Sequence, residues 1–192
     1  TCKSWEHVWL NEGFATYFAL LFTEHDLGRD AFVDGLKRSR EQVLELTEKL
    51  PTASIVHRNL DDMRRVLNGL IYQKGGGVLH MLRAEVGTAD FWAAIREYYR
   101  RYRDQNASTA ELRAVFEDVS GRPLEWFFTQ WLTRPGVPKV EGAWRYDPVK
   151  KQVAVTLTQA QAAAPFRLTV EIGIVAAEGA MPQIARAEMT AK

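Results

Sequence analysis

The sequence predicts an α+β chain, mainly helical, with its β structure gathered at the C-terminal end. Three observations predict it. Apolar residues recur at spacings of three and four over roughly the first two thirds of the chain. A break rich in proline and glycine falls at Arg134-Pro135-Gly136-Val137-Pro138. Beyond it, 152-QVAVTLTQ-159 and 166-FRLTVEIGIV-175 alternate apolar and polar residues as half-buried strands do. The reading therefore divides the chain into a helical domain over 1–137 and a second, β-rich domain over 138–192.

Taken in order, Trp9, Leu10, Phe14, Tyr17, Phe18, Leu21 and Phe22 make an apolar stripe from Trp5 to about Leu27, and Gly28 is a natural stop. Asp30 is expected to cap a second helix through about Thr47, with Phe32, Val33, Leu36, Val43 and Leu44 on its inner side. Leu50-Pro51 ends it, and 51–60 reads as a loop. A helix from about Asp61 to Asn68 leads into a longer one, Leu70 to Val86, stopped by Gly87. The next starts at Thr88 or Asp90 and carries Phe91, Trp92, Ile95, Tyr98, Tyr99 and Tyr102. Ser108-Thr109-Ala110-Glu111 has the spacing of a capping box, opening a helix through Val119. Pro123 is expected in the first turn of a last helix reaching about Leu132. In the tail, 139-KVEGAWRY-146 and 183-QIARAEMT-190 are further strands, and Asp147-Pro148 is a turn. Four strands leave an edge or face uncovered, which suggests an incomplete β-sandwich.

Composition narrows the function classes. Hydrophobic residues are 46% and charged residues 26%, ordinary for a globular chain of 192 residues. A net charge of +1 gives no global field to draw in nucleic acid or an anionic membrane. Cys2 is the single cysteine, so there is no internal disulfide and no multi-cysteine metal site. No apolar run has the length of a membrane span, and no compartment can be read. The chain begins at Thr1 inside sequence that already reads as structured, as a piece of a longer protein would.

Lys74-Gly75-Gly76-Gly77 lacks the Gly-Lys-Ser/Thr of a phosphate loop, and no strand precedes it. It reads instead as a helix whose glycines admit another backbone closely. His7, His25, His57 and His80 have no metal-ligand spacing, and His-Glu-x-x-His does not occur. Glu12 is a carboxylate on an aromatic helix, with nothing nearby in sequence to hold its charge. Taken singly, it reads as structural, and Tyr72 as a core tyrosine with a satisfied hydroxyl.

Four ordered blocks change that balance. Trp5-Glu6-His7-Val8-Trp9-Leu10-Asn11-Glu12-Gly13-Phe14-Ala15 resembles the W-x-x-x-W-L-N-E-G-F-A block of the aminopeptidase N family of zinc metallopeptidases, the gluzincin aminopeptidases. Tyr72-Gln73-Lys74-Gly75, followed by Val78-Leu79-His80-Met81-Leu82, is similar to its Y-x-K-G-x-x-x-L-x-M-L helix. Phe127-Phe128-Thr129-Gln130-Trp131-Leu132 and then Pro135-Gly136-Val137-Pro138 are similar to its F-F-x-Q-W-x-x-x-P-G-x-P signature. Ser54-Ile55-Val56 before Asp61-Asp62 resembles, more loosely, the stretch leading to the tyrosine helix.

The resemblance implies the C-terminal half of a thermolysin-like catalytic domain followed by part of a β-sandwich domain. It implies zinc as cofactor, peptides with a free N-terminus as substrates, and the remainder of its own polypeptide as a partner. Glu12 would be one zinc ligand, the other two coming from a His-Glu-x-x-His helix upstream of Thr1. Tyr72 would donate a hydrogen bond to the oxyanion of the tetrahedral intermediate. The general-base glutamate and most of the α-amine site would also lie upstream, so the chain by itself is expected neither to hold zinc tightly nor to hydrolyse peptides. Gln73 departs from the Glu common at that place in the family. Two rival readings stand beside this one: a catalytically dead relative serving as a scaffold, and an unrelated helical binding module that needs no metal.

Overall fold

The computed structural model describes residues 2–56, 60–61 and 66–190. The chain divides into two units, Thr1–Gly136 and Val137–Lys192.

The first unit is helical. A 3-10 turn, Trp5–His7, leads into α1, Trp9–Leu27, so the expected start at Trp5 is a tighter turn and not yet α-helix. Gly28, at φ +89, takes a conformation that L side chains rarely adopt and lets α2, Arg29–Lys49, follow at once. Gly28 is the N-cap of α2, which corrects the role expected of Asp30. That aspartate lies in the first turn, where its charge complements the helix dipole. Half of the helix expected over 61–68, residues 62–65, lies outside the described residues. After it comes a π-helical turn, Leu70–Lys74, continuous with α3, Gly75–Val86. Gly87, at φ +92, separates α3 from α4, Thr88–Tyr102.

The capping box forms at the start of α5, Thr109–Ser120. The Glu111 carboxylate accepts from the Ser108 backbone N–H at 2.6 Å, and Ser108 Oγ accepts from the Glu111 N–H. The last helix is short, α6 over Glu125–Phe128, and runs on as a second π turn, Thr129–Thr133. Its N-cap is Leu124, so Pro123 stands just outside the helix and not in its first turn.

The core of this unit is the set of inward faces: Trp9 and Tyr17 of α1, Phe32 of α2, Leu79 and Leu82 of α3, Phe91 of α4, Leu112 and Phe116 of α5. Phe91 joins the faces by edge-on contacts, with Tyr17 at 6.0 Å and Trp92 at 5.5 Å between centroids. Some of the apolar stripe read from the sequence is not buried: Phe22 is 66% exposed and Leu44 is 42% exposed. Periodicity marks a face, but it does not say whether another element covers all of it.

In the second unit the four strands make two separate antiparallel hairpins. The first pairs β1, Val140–Asp147, with β2, Gln152–Gln159, in a register that sets Val140 opposite Gln159 and Asp147 opposite Gln152. The turn between them is held by the Asp147 carboxylate, which accepts from the Val149 and Lys150 N–H groups. The second pairs β3, Leu168–Ile174, with β4, Gln183–Met189. Gln159 is buried and exchanges two hydrogen bonds of 2.8 Å with the Phe166 backbone, so its amide does the work of a ladder pair where the strand stops.

Candidate functional site

The first unit is built around one close helix crossing. Gly13 of α1 lies against Gly75, the first residue of α3; a Cβ placed on Gly13 would stand 3.0 Å from the Gly75 carbonyl carbon and 3.2 Å from its Cα. Reciprocally, a Cβ on Gly75 would meet Gly13 Cα at 3.2 Å. One residue further along α3, Gly76 faces the Thr16 side chain. The expectation that the glycine run admits a second backbone is met at Gly75 and Gly76. Gly77 faces open space.

This crossing sets the helix that carries Glu12 against the turn that carries Tyr72. Glu12 is adjacent to Gly13, and Tyr72 is three residues before Gly75. Both side chains are half-buried. Among the described residues, neither the Glu12 carboxylate nor the Tyr72 hydroxyl has a hydrogen-bonding or ion-pair partner; Glu12 uses only its backbone carbonyl, which accepts from Thr16 Oγ1 at 2.8 Å. Among the described residues, then, the Tyr72 hydroxyl lacks the partner that the single-residue reading gives it.

Sequence patterning gave no sign that Tyr72 sits on a π turn. The Gly75 N–H donates to Leu70 O, five residues back, and also to Tyr72 O. Asn68 Oδ1 accepts from the Leu70 N–H at 2.8 Å and closes the open end of the turn. Wide turns of this kind are rare and gather at functional sites. Their detectable signal lies in backbone geometry and not in residue type.

Lys74 is the other residue that patterning passed over, as a spacer between Tyr72 and Gly75. It is 6% exposed, and its ammonium donates to the Gly136 carbonyl at 3.1 Å. Burial alone pulls its pKa down to about 8. The tyrosine block is thereby joined to the Pro135-Gly136 block, two stretches far apart in sequence.

The amino-terminal edge of the site is fixed by Thr109. Its hydroxyl accepts from Trp9 Nε1 at 2.9 Å and lies 3.1 Å from His7 Nδ1. His7 is thus an orienting group for the start of α1, with its other nitrogen 3.3 Å from the Glu6 carboxylate. His80 is used elsewhere: its Nδ1 is 3.1 Å from the Tyr17 hydroxyl, and burial together with the cations of Arg83 and Arg29 holds it below the ordinary histidine range. An aromatic groove lined by Phe14, Phe18, Tyr98, Tyr99 and Tyr102 lies along α1 and α4. Phe14 is two positions from Glu12 and so faces another side of α1, which separates this groove from the crossing.

Can these residues hold zinc? No group of three or more His, Cys, Asp or Glu side chains able to bind a metal exists among the described residues. A catalytic zinc takes three protein ligands. Glu12, half-exposed and unpartnered, suits one of them, but the chain's described residues do not by themselves compose the site. No described helix is long and apolar enough to cross a membrane.

Known proteins resemble the chain chiefly over its helical unit. Residues 1–131 match the Peptidase family M1 domain. Aminopeptidase M1-D of Oryza sativa subsp. japonica is 32% identical over 145 residues, covering 73% of this chain and 16% of that protein. Human glutamyl aminopeptidase is 30% identical over 146 residues, covering 72% of this chain and 15% of that protein. The chain thus spans about 16% of the length of the curated relatives it matches. Among solved structures, the M1 zinc metallopeptidase of Deinococcus radiodurans superposes with a TM-score of 0.54 at 26% identity, over 72% of this chain and 30% of that one. Legionella pneumophila aminopeptidase A, solved with aspartic acid, shares the fold at a TM-score of 0.76 and 18% identity, over 99% of this chain and 21% of that one. With its helical unit matched almost end to end by the family model, and with blocks at Glu12, Tyr72 and Pro135-Gly136 in the family's order, the chain belongs to peptidase family M1.

Proposed function

We propose that the chain forms part of the active site of a zinc aminopeptidase, with Glu12 as one metal ligand and Tyr72 as the donor to the oxyanion. One observation carries the reading. The Gly13–Gly75 crossing sets a carboxylate and a phenol on adjoining elements, both half-exposed and both without a partner among the described residues. Neither is among the buried unpaired side-chain atoms of the described residues, so both remain open to exchange water for a group that binds there.

Each has a definite task. Glu12 presents negative charge and two oxygens on a rigid helix, and exchanges hydration for a bond to a dication. Zinc, when bound, supplies Lewis acidity that polarises the scissile carbonyl. Tyr72 donates its O–H hydrogen bond to the oxygen on which negative charge develops. That contact is stronger in the transition state than in the ground state, and so it speeds the reaction instead of merely tightening binding. The substrate class is peptides with a free N-terminus, as in the aminopeptidases the chain resembles. The remaining ligands, the general base and most of the α-amine site belong to sequence outside these residues, and the activity to a polypeptide that carries both. Chain 1–137 is then the C-terminal helical part of the catalytic domain, and 138–192 the start of a β-sandwich domain.

The test is made in the full gene product containing this chain. Tyr72→Phe is expected to lower kcat on an aminoacyl anilide by about 10²–10³ with bound zinc unchanged. Glu12→Gln is expected to lower bound zinc instead. A Tyr72→Phe enzyme within a few-fold of wild type would sink the assignment. An inactive scaffold, the competing reading, has no chemical use for either group.

A further inference from the structure

We propose that Lys74 is a positioning residue for Tyr72: bonded to the Gly136 carbonyl, it pins the π turn to the Pro135-Gly136 turn and so sets where the tyrosine hydroxyl points. This rests on the reading of Tyr72 given above.

Stability alone does not explain a lysine here. An ammonium taken out of water is costly unless it is paired, and an apolar side chain of similar length would fill the same space more cheaply. Lys74 is 6% exposed, and its ammonium bonds one backbone carbonyl, with no ion pair among the described residues.

What it holds is an unusual turn. Residues 70–74 are π-helical, a rare geometry that occurs mostly as single turns. Tyr72 and Lys74 are two positions apart, so they point to different sides of the turn, the lysine inward and the tyrosine toward solvent. A tie on the inner side fixes the rotation of the outer one. The hydroxyl stands roughly 9 Å from the helix axis, so a swing of about 10° moves it by about 1.5 Å, and a misplacement of about 1 Å costs about 10²-fold.

The far end of the tie is itself rigid. Gly136 adopts φ +81, a left-handed conformation, directly after Pro135, and the pair fixes the direction of the carbonyl. The segment just before it is the second π turn, whose Leu132 carbonyl accepts from the Val56 N–H at 2.8 Å. Lys74 therefore joins the end of the π turn that carries Tyr72 to the Pro135-Gly136 turn that follows the second one.

The experiment is a double-mutant cycle in the full gene product, using Lys74→Met, Tyr72→Phe and the pair, with kcat, KM and Tm measured for each. Lys74→Met is expected to lower kcat about 10-fold or more, with KM within about 2-fold and Tm unchanged or raised. On a Tyr72→Phe background the same change is expected to cost less than about 2-fold, because the hydroxyl it aims is gone. Gly136→Ala keeps the lysine but strains the turn that supplies the carbonyl, and is expected to lower kcat in the same sense. A Lys74→Met enzyme with wild-type kcat overturns the inference, as does a loss that multiplies in full onto Tyr72→Phe. Failure of both Lys74→Met and Lys74→Leu to fold also overturns it, making the lysine a folding determinant. If Tyr72→Phe is itself fully active, the underlying assignment falls; if Tyr72→Phe is crippled and Lys74→Met is normal, only the present inference does.

Discussion

Replacing Gly13 by alanine tests the crossing on which the site depends. A Cβ there would lie 3.0 Å from the Gly75 carbonyl carbon, 3.2 Å from its Cα and 3.3 Å from its oxygen. All three are backbone atoms, so no side chain can swing aside. Ordinary carbon contacts begin near about 3.4–3.5 Å, so α1 and α3 must part by a few tenths of an ångström. Forced overpacking of this kind costs about 1–3 kcal/mol. Against it stands the helix propensity of alanine over glycine, about 1 kcal/mol in its favour. The net expectation is a loss of about 0–2 kcal/mol, set against the gain expected at a site with open space. Gly77→Ala is the control: the site is helical, nothing lies within 4 Å of the new Cβ, and propensity acts alone. That variant is expected to gain about 0.5–1 kcal/mol. Urea unfolding of the 192-residue chain, followed by tryptophan fluorescence, reads both; Trp9 is fully buried and its ring lies 3.7 Å from the position of a Cβ on Gly75. If Gly13→Ala is as stable as Gly77→Ala, the tight crossing is not what positions α1 on α3.

Three further expectations follow from particular contacts. Lys74, with its pKa pulled to about 8 from the usual 10.5, binds a proton less readily folded than unfolded. Wild-type stability should therefore rise by up to about 3 kcal/mol from this group as pH climbs from about 8 to about 10.5. Lys74→Met lacks that slope, so its advantage should be full below pH 8 and gone near pH 10.5; urea profiles that stay parallel across the range would contradict the burial argument. Thr109→Val strands the buried Trp9 Nε1 and removes the partner of His7, for an expected cost of about 1–3 kcal/mol by thermal unfolding. A fluorescence-competition titration of the 192-residue chain with zinc should find no specific sub-micromolar site, since the described residues hold no group of three metal-ligating side chains. Tight stoichiometric binding would refute this.

Which parts of the molecule could be read from residues follows from the range of the forces involved. The capping box at Ser108 and Glu111 was legible because both partners lie within one helical turn and the chemistry is local. The stops at Gly28 and Gly87 were legible for the same reason, since left-handed backbone selects glycine. Asp30 was expected at the cap and lies inside the first turn, whereas Pro123 was expected in the first turn and lies outside the helix, because a cap is chosen by backbone geometry and several nearby residues can serve. The four strands were legible as strands, but not as two separate hairpins, because alternation specifies a face and not a neighbour.

The site divides in the same way. Glu12 and Tyr72 could be singled out only as members of ordered blocks; nothing in the chemistry of either alone separates an open ligand from a satisfied core group. The π turn was invisible because a wide turn and an ordinary one take the same residues, and the difference is one slipped hydrogen bond at Gly75. Lys74 was invisible because its partner is a carbonyl 62 residues away, and a carbonyl carries no side-chain signature. Yet a lysine that patterning passes over, found buried with no carboxylate partner among the described residues, is the kind of local inconsistency that sequences keep where function needs it. The cost of that ammonium is thus itself an argument about the tyrosine two positions away.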